Sequence, residues 1–90
     1  MSRTIAAIAS DIVDAHREAG KRPPYLDAYV RPMLYLEKVT DNYFSDDGEY
    51  VVIYALSNLQ HWRHPKAKAL KDELKIILHE HDPKRYKAPK

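Results

Sequence analysis

The stretch Tyr50-Val51-Val52-Ile53-Tyr54 sets the choice of fold class. It is the one place where this 90-residue chain has the β-branched and aromatic composition of a strand. A strand needs a partner, and no second run alternates polar and apolar residues or concentrates β-formers, so a helix is expected here instead. Ser45 or Asp46 followed by Glu49 offers a capping-box spacing at its start. On that helix Val52, Leu56 and Leu59 face one way with Val51 and Ala55 beside them. An element apolar nearly all round is expected to be central and the most buried.

The other apolar residues recur at three and four. Ile5, Ile8, Ala9, Ile12, Val13 and His16 form the stripe of a helix over 4–19, with Ser2 or Thr4 as its cap and Gly20 as the left-handed residue after its end. Lys21-Arg22-Pro23-Pro24 then breaks the chain, and Pro24 opens a second helix carrying Tyr25, Leu26, Tyr29, Val30, Met33, Leu34 and Leu36. Pro32 lies inside that stretch, lacks an N–H and clashes with the carbonyl of Ala28, so this helix is expected kinked or split near Arg31. Residues 41–48 read as a polar turn whose Tyr43 and Phe44 plug the core from the loop side. After a connector holding Trp62, Pro65 opens a fourth helix over 65–79, with Ala67, Leu70, Leu74, Ile77 and Leu78 inside and Lys68, Lys71, Asp72 and Lys75 outside. The expected fold is all-α: a compact bundle of four helices forming a single domain over 1–82, with a basic flexible tail over 83–90.

With no cysteine, the chain has no disulfides, thiolate zinc sites or cysteine nucleophile. The longest apolar run, Val51 to Leu56, falls far short of the roughly 18 residues that cross a bilayer, and Met1-Ser2-Arg3-Thr4 leads into no signal-peptide core. No membrane association and a cytoplasmic location are expected. The net charge of +2 is unevenly placed: residues 1–60 hold 6 Lys/Arg against 9 Asp/Glu, and residues 61–90 hold 9 against 4. An anionic partner would meet the C-terminal third.

Asp41-Asn42-Tyr43, Tyr54 with Leu56-Ser57-Asn58, Trp62-Arg63 and the stretch from Lys71 to Lys75 together resemble a group of small uncharacterised proteins encoded in tailed-bacteriophage genomes. The resemblance runs from Pro32 to Leu78, about half the chain, and departs at His64, where members of that group typically have glycine. It implies a phage or prophage product acting in a bacterial host's cytoplasm. It carries no reaction, ligand or cofactor.

Catalytic and metal constellations do not converge. His61 with His64, and His79 with His81 beside Glu80 and Asp82, flank the fourth helix, so some 15 residues put the two pairs about 22 Å apart, whereas zinc ligands sit about 2 Å from the ion. Ser45 and Ser57 lie in no nucleophile elbow, and Asp41, Asp46, Asp47 and Glu49 lack the calcium-loop order. No cofactor, no metal and no enzymatic activity are expected.

Binding is the function left. Seven tyrosines cannot all be buried in a helical domain of this size, and Tyr25 and Tyr29, four apart and flanked by Arg22 and Arg31, are the expected exposed protein-binding pair. The reading is a non-enzymatic accessory protein that binds a host or phage protein. The alternative is a nucleic-acid-binding factor in which Arg63, Lys66, Lys68, Lys71 and Lys75, extended by Lys84, Arg85, Lys87 and Lys90, contact phosphates. Its weakness is Asp72-Glu73 on the same face.

Overall fold

The computed structural model describes residues 3–89, so Ser2 as a cap and Lys90 as a phosphate contact lie outside the described residues. α1 (Ile5–Glu18) forms on the expected stripe, and each of its first donors finds an acceptor. Ile5 and Ala6 donate to the carbonyls of Glu37 and Leu36 (3.1 and 2.8 Å), and Ala7 donates to Thr4 Oγ1 (3.1 Å). At the other end Gly20, with φ of 68°, donates to Arg17, and Lys21 donates to His16, the paired bonds of a Schellman stop.

Pro32 acts as expected. Leu26–Val30 widens into a π-helical turn, in which Arg31 donates to Leu26, and Arg31–Tyr35 tightens into a 3₁₀ turn. The two meet at Arg31, so the ring sits where a regular ladder is already interrupted.

The polar turn is more ordered than its sequence suggests. Asp41 Oδ2 accepts from the backbone of Glu37 and Lys38 (3.1 and 3.0 Å), which holds its carboxyl below the usual carboxylate range. A two-stranded antiparallel ladder follows, β1 (Asn42–Tyr43) against β2 (Asp46–Asp47), with Asn42 opposite Asp47 and Tyr43 opposite Asp46. The all-α expectation missed this hairpin, because two residues per strand leave no periodicity to read. Tyr43 is half-buried, but Phe44 does not plug the core: it stands at the tip, 87% exposed, with φ of 55°.

α2 (Gly48–Asn58) is a helix, as the missing strand partner required. Its cap is Asp47, which makes no side-chain capping bond, so the proposed capping box does not form. Gly48 is where the chain comes closest to itself: its N–H donates to the Asp41 carbonyl at 2.7 Å, and a Cβ there would lie 2.6 Å from that oxygen and 2.7 Å from the carbonyl oxygen of Val39. α2 is not the most buried element. It buries Gly48, Val51, Val52 and Ala55, while α1 buries Ile5, Ile8, Ala9, Ile12, Val13, Ala15 and His16.

α3 (Ala67–His81) begins two residues later than expected and runs two further, with Leu70, Leu74 and Leu78 buried. Pro65 lies in the preceding turn, and His64 holds that turn by accepting from Lys66 through Nδ1 and from Ala67 through its carbonyl. α1 packs on α3 and on the split segment Leu26–Tyr35, and α2 packs on the same two. One core joins them, closed by Met33, Leu36, Leu59 and Trp62. The result is a predominantly helical, compact fold with a Cα radius of gyration of 12.2 Å. Among the described residues no helix is long and apolar enough to cross a membrane.

The start of the expected tail folds back. Arg85 and Tyr86 donate backbone N–H groups to Asp82, and His79 Nδ1 donates to the Tyr86 carbonyl (2.7 Å). Glu49 on α2 gathers three donors from this end: the Tyr86 hydroxyl, Arg85 Nη1 (3.1 Å) and His81 Nε2 (3.2 Å). The Tyr86 hydroxyl bond lowers the Glu49 pKa, and burial together with that carboxylate pushes the Tyr86 phenol up to about 12.

Candidate protein-binding site

Aromatic rings left outside the core collect on one side of the molecule. Tyr29, from the π turn, meets Tyr54 of α2 at a centroid distance of 6.5 Å, and Tyr54 stacks on Tyr50 one turn earlier at 6.3 Å. Tyr35, at the end of the 3₁₀ turn, lies 5.6 Å from Tyr43 of β1, which meets Phe44 edge-on at 4.7 Å. A concavity of about 240 Å³ joins the two groups, with Tyr29, Tyr43, Tyr54 and Pro32 in its lining. Asp46 is the one charged side chain lining it. Tyr29, Tyr35, Phe44, Tyr50 and Tyr54 are the exposed large hydrophobic rings among the described residues.

Local structure explains the collection. A spacing of four on α2 puts Tyr50 and Tyr54 together on its outward face, beside the buried Val51. The pleat of β1 turns Tyr43 toward the core edge, and the left-handed backbone at Phe44 throws the next ring outward.

The expected binding set is divided. Tyr29 is exposed and belongs to this face, but Tyr25 is half-buried. The Tyr25 hydroxyl lies 2.7 Å from Nε2 of His16, which is 1% exposed, and the other ring nitrogen of that histidine bonds the Ile12 carbonyl at 2.8 Å. A carbonyl only accepts, so Nδ1 carries the hydrogen and, in the uncharged ring, Nε2 accepts from the tyrosine. Burial raises the Tyr25 pKa, in keeping with a hydroxyl that donates. A spacing of four makes Tyr25 and Tyr29 neighbours without saying what each meets across the fold. Arg22 and Arg31 both turn to Asp27, at 3.6 and 2.5 Å.

The basic residues of the alternative reading fall in separate places. Lys66 borders a concavity with Asp11, Asp14 and Glu18, Lys68 pairs with Asp72 at 2.6 Å, and Lys71 bends back to the Leu59 carbonyl at 3.2 Å. Lys75, Arg85 and Lys87 border a hollow beside Leu56 and Tyr86, Lys84 is exposed, and Arg63 borders a separate concavity with Trp62. Glu73 is held by Arg3, which also bonds Asp11. Among the described residues no three His, Asp or Glu side chains gather as metal ligands. From the sequence Phe44 is expected in the core, and Tyr35, Tyr50 and Tyr54 are not expected as binding residues; the surplus of tyrosine is the one signal for these three.

Compared with family models, curated proteins and solved structures, the chain matches none.

Proposed function

We propose that this is a small non-enzymatic accessory protein that binds another protein through its aromatic face. The partner segment is taken to be one that carries arginine or lysine. The observation that carries this reading is a concavity lined by the exposed Tyr29 and Tyr54 and by Tyr43, with Asp46 as its single charged lining residue and the exposed Tyr35, Phe44 and Tyr50 in ring contact with those linings. Tyrosine rings offer apolar area with little entropy to lose, and their faces attract cations. Asp46 and Asp47, both exposed on β2, add carboxylates at the edge, which favours a basic segment over an acidic one. The resemblance to small tailed-phage proteins supports a phage or prophage origin, and with it a host or phage protein as partner in the bacterial cytoplasm.

Selection of random peptides on the immobilised protein tests the reading. Enrichment of sequences with arginine or lysine, lost when Tyr29 and Tyr54 are both replaced by serine in a protein that keeps its circular dichroism, is the expected result. No enrichment, or enrichment the double variant retains, would overturn it. Against a nucleic-acid face stands the dispersal of the lysines. Steeply salt-dependent binding to duplex or single strands, abolished by charge reversal at Lys68, Lys71 and Lys75, would restore that alternative.

A further inference from the structure

A second concavity, about one turn from the aromatic one along both Tyr25–Tyr29 and Tyr54–Asn58, is of a different kind. Where the end of α1, the Lys21 to Tyr25 loop and the connector after α2 meet, a concavity of about 490 Å³ is bordered by Lys21, Arg22, Arg63 and His61, with Tyr25 and Trp62 behind them. No carboxylate lines it. Its volume falls within the roughly 300–1,000 Å³ range of small-molecule sites.

Hydrogen-bond accounting shows what the cavity offers. Among the described residues, the side chains of Lys21, His61 and Arg63 make no hydrogen bond or ion pair, and the Trp62 indole N–H has no acceptor although it is not fully buried. Arg22 has Asp27 at 3.6 Å, longer than a direct hydrogen bond. The back wall, by contrast, is fixed. His16 stacks on Trp62 at a centroid distance of 4.5 Å, and its two ring nitrogens are taken by Ile12 and Tyr25. A rigid aromatic wall thus faces a rim of solvent-exposed donors that no protein acceptor engages in a direct hydrogen bond. Such a site selects an anion with several acceptor oxygens, and a tetrahedral phosphate can accept from more of these donors at once than a planar carboxylate can.

We propose that this cavity binds the phosphate group of a small anionic molecule, with Lys21, Arg22 and Arg63 as its cationic contacts. The site shares no lining residue with the aromatic concavity and differs from it in chemistry, so either can fail alone.

Trp62 is the only tryptophan of the chain, so its emission reports on this cavity. The folded protein is titrated at constant ionic strength with inorganic phosphate, glucose 6-phosphate and glucose, and phosphorus NMR line width provides a second readout should the indole be insensitive. Saturable binding of a phosphate compound in the millimolar range or tighter, with none of glucose, is expected. Inorganic phosphate binding as well as the ester identifies the free ion as a sufficient ligand, and preference for the ester identifies a phosphomonoester. Arg63→Gln and Lys21→Gln should each weaken binding about tenfold, while Lys75→Gln leaves it unchanged. Absence of saturation by both readouts, or binding that Arg63→Gln does not weaken, would overturn the proposal.

Discussion

Gly48 and Gly20 show how differently two glycines can constrain one chain. At Gly48 the obstacle is space, since an added Cβ would press on two backbone carbonyl oxygens that cannot rotate away. At Gly20 the space is open and the obstacle is the positive φ alone. Gly48→Ala is therefore expected to cost about 2–3 kcal/mol by overpacking and Gly20→Ala about 1–2 kcal/mol from the left-handed backbone, compared by urea denaturation. Equal costs would mean that the Val39 and Asp41 carbonyls yield. Gly20 was legible because a glycine after an apolar stripe has one common use. Gly48 was not, since its need arises from residues seven and nine positions earlier. The same divide separates His16, whose place on a stripe announced its burial, from Tyr25, whose environment is set by that histidine across the fold.

Among the elements, helices with a full stripe were readable almost to their ends, and Pro32 divided its segment where an absent N–H said it would. Short and terminal pieces carry less of their structure in the sequence. The β1–β2 hairpin has too few residues to carry a period, and the segment after Pro83 looked like a tail because lysines dominate it. Its structure depends on two residues that composition does not weigh: Tyr86, packed against the core, and Glu49, which receives its hydroxyl. Glu49→Gln keeps the shape and removes the charge that holds Arg85 and His81. Trypsin is then expected to cut after Lys84, Arg85 or Lys87 several-fold faster than in the parent, with the core fragment surviving. Unchanged cleavage would show that burial of the Tyr86 ring alone holds the segment.

For the molecule as a whole, acid is the condition under which these carboxylate contacts act together. Asp41 and Glu49 both titrate below their ordinary values, 3.8 and 4.5, because backbone amides hold the first and the Tyr86 hydroxyl the second. A carboxyl with a lowered folded pKa stabilises the fold fully above its unfolded value and loses that contribution as pH falls through the folded one. The melting temperature should therefore decline from about pH 4.5 downward. Asp41→Asn should melt lower at neutral pH and show a shallower decline. A parallel curve would remove Asp41 from the account. The segment Asp41 braces is also a shared hinge post: Leu36 and Glu37 close the start of α1, and Val39 and Asp41 crowd the start of α2. The two helices share one short strap at their starts, and both also pack on α3 and on the split segment, so lengthening that strap loosens the two starts and leaves the shared core to hold the rest. A flexible glycine-serine insert between Lys38 and Val39 should lower the melting temperature well below that of the parent, whereas the same insert between Phe44 and Ser45 should leave it nearly unchanged.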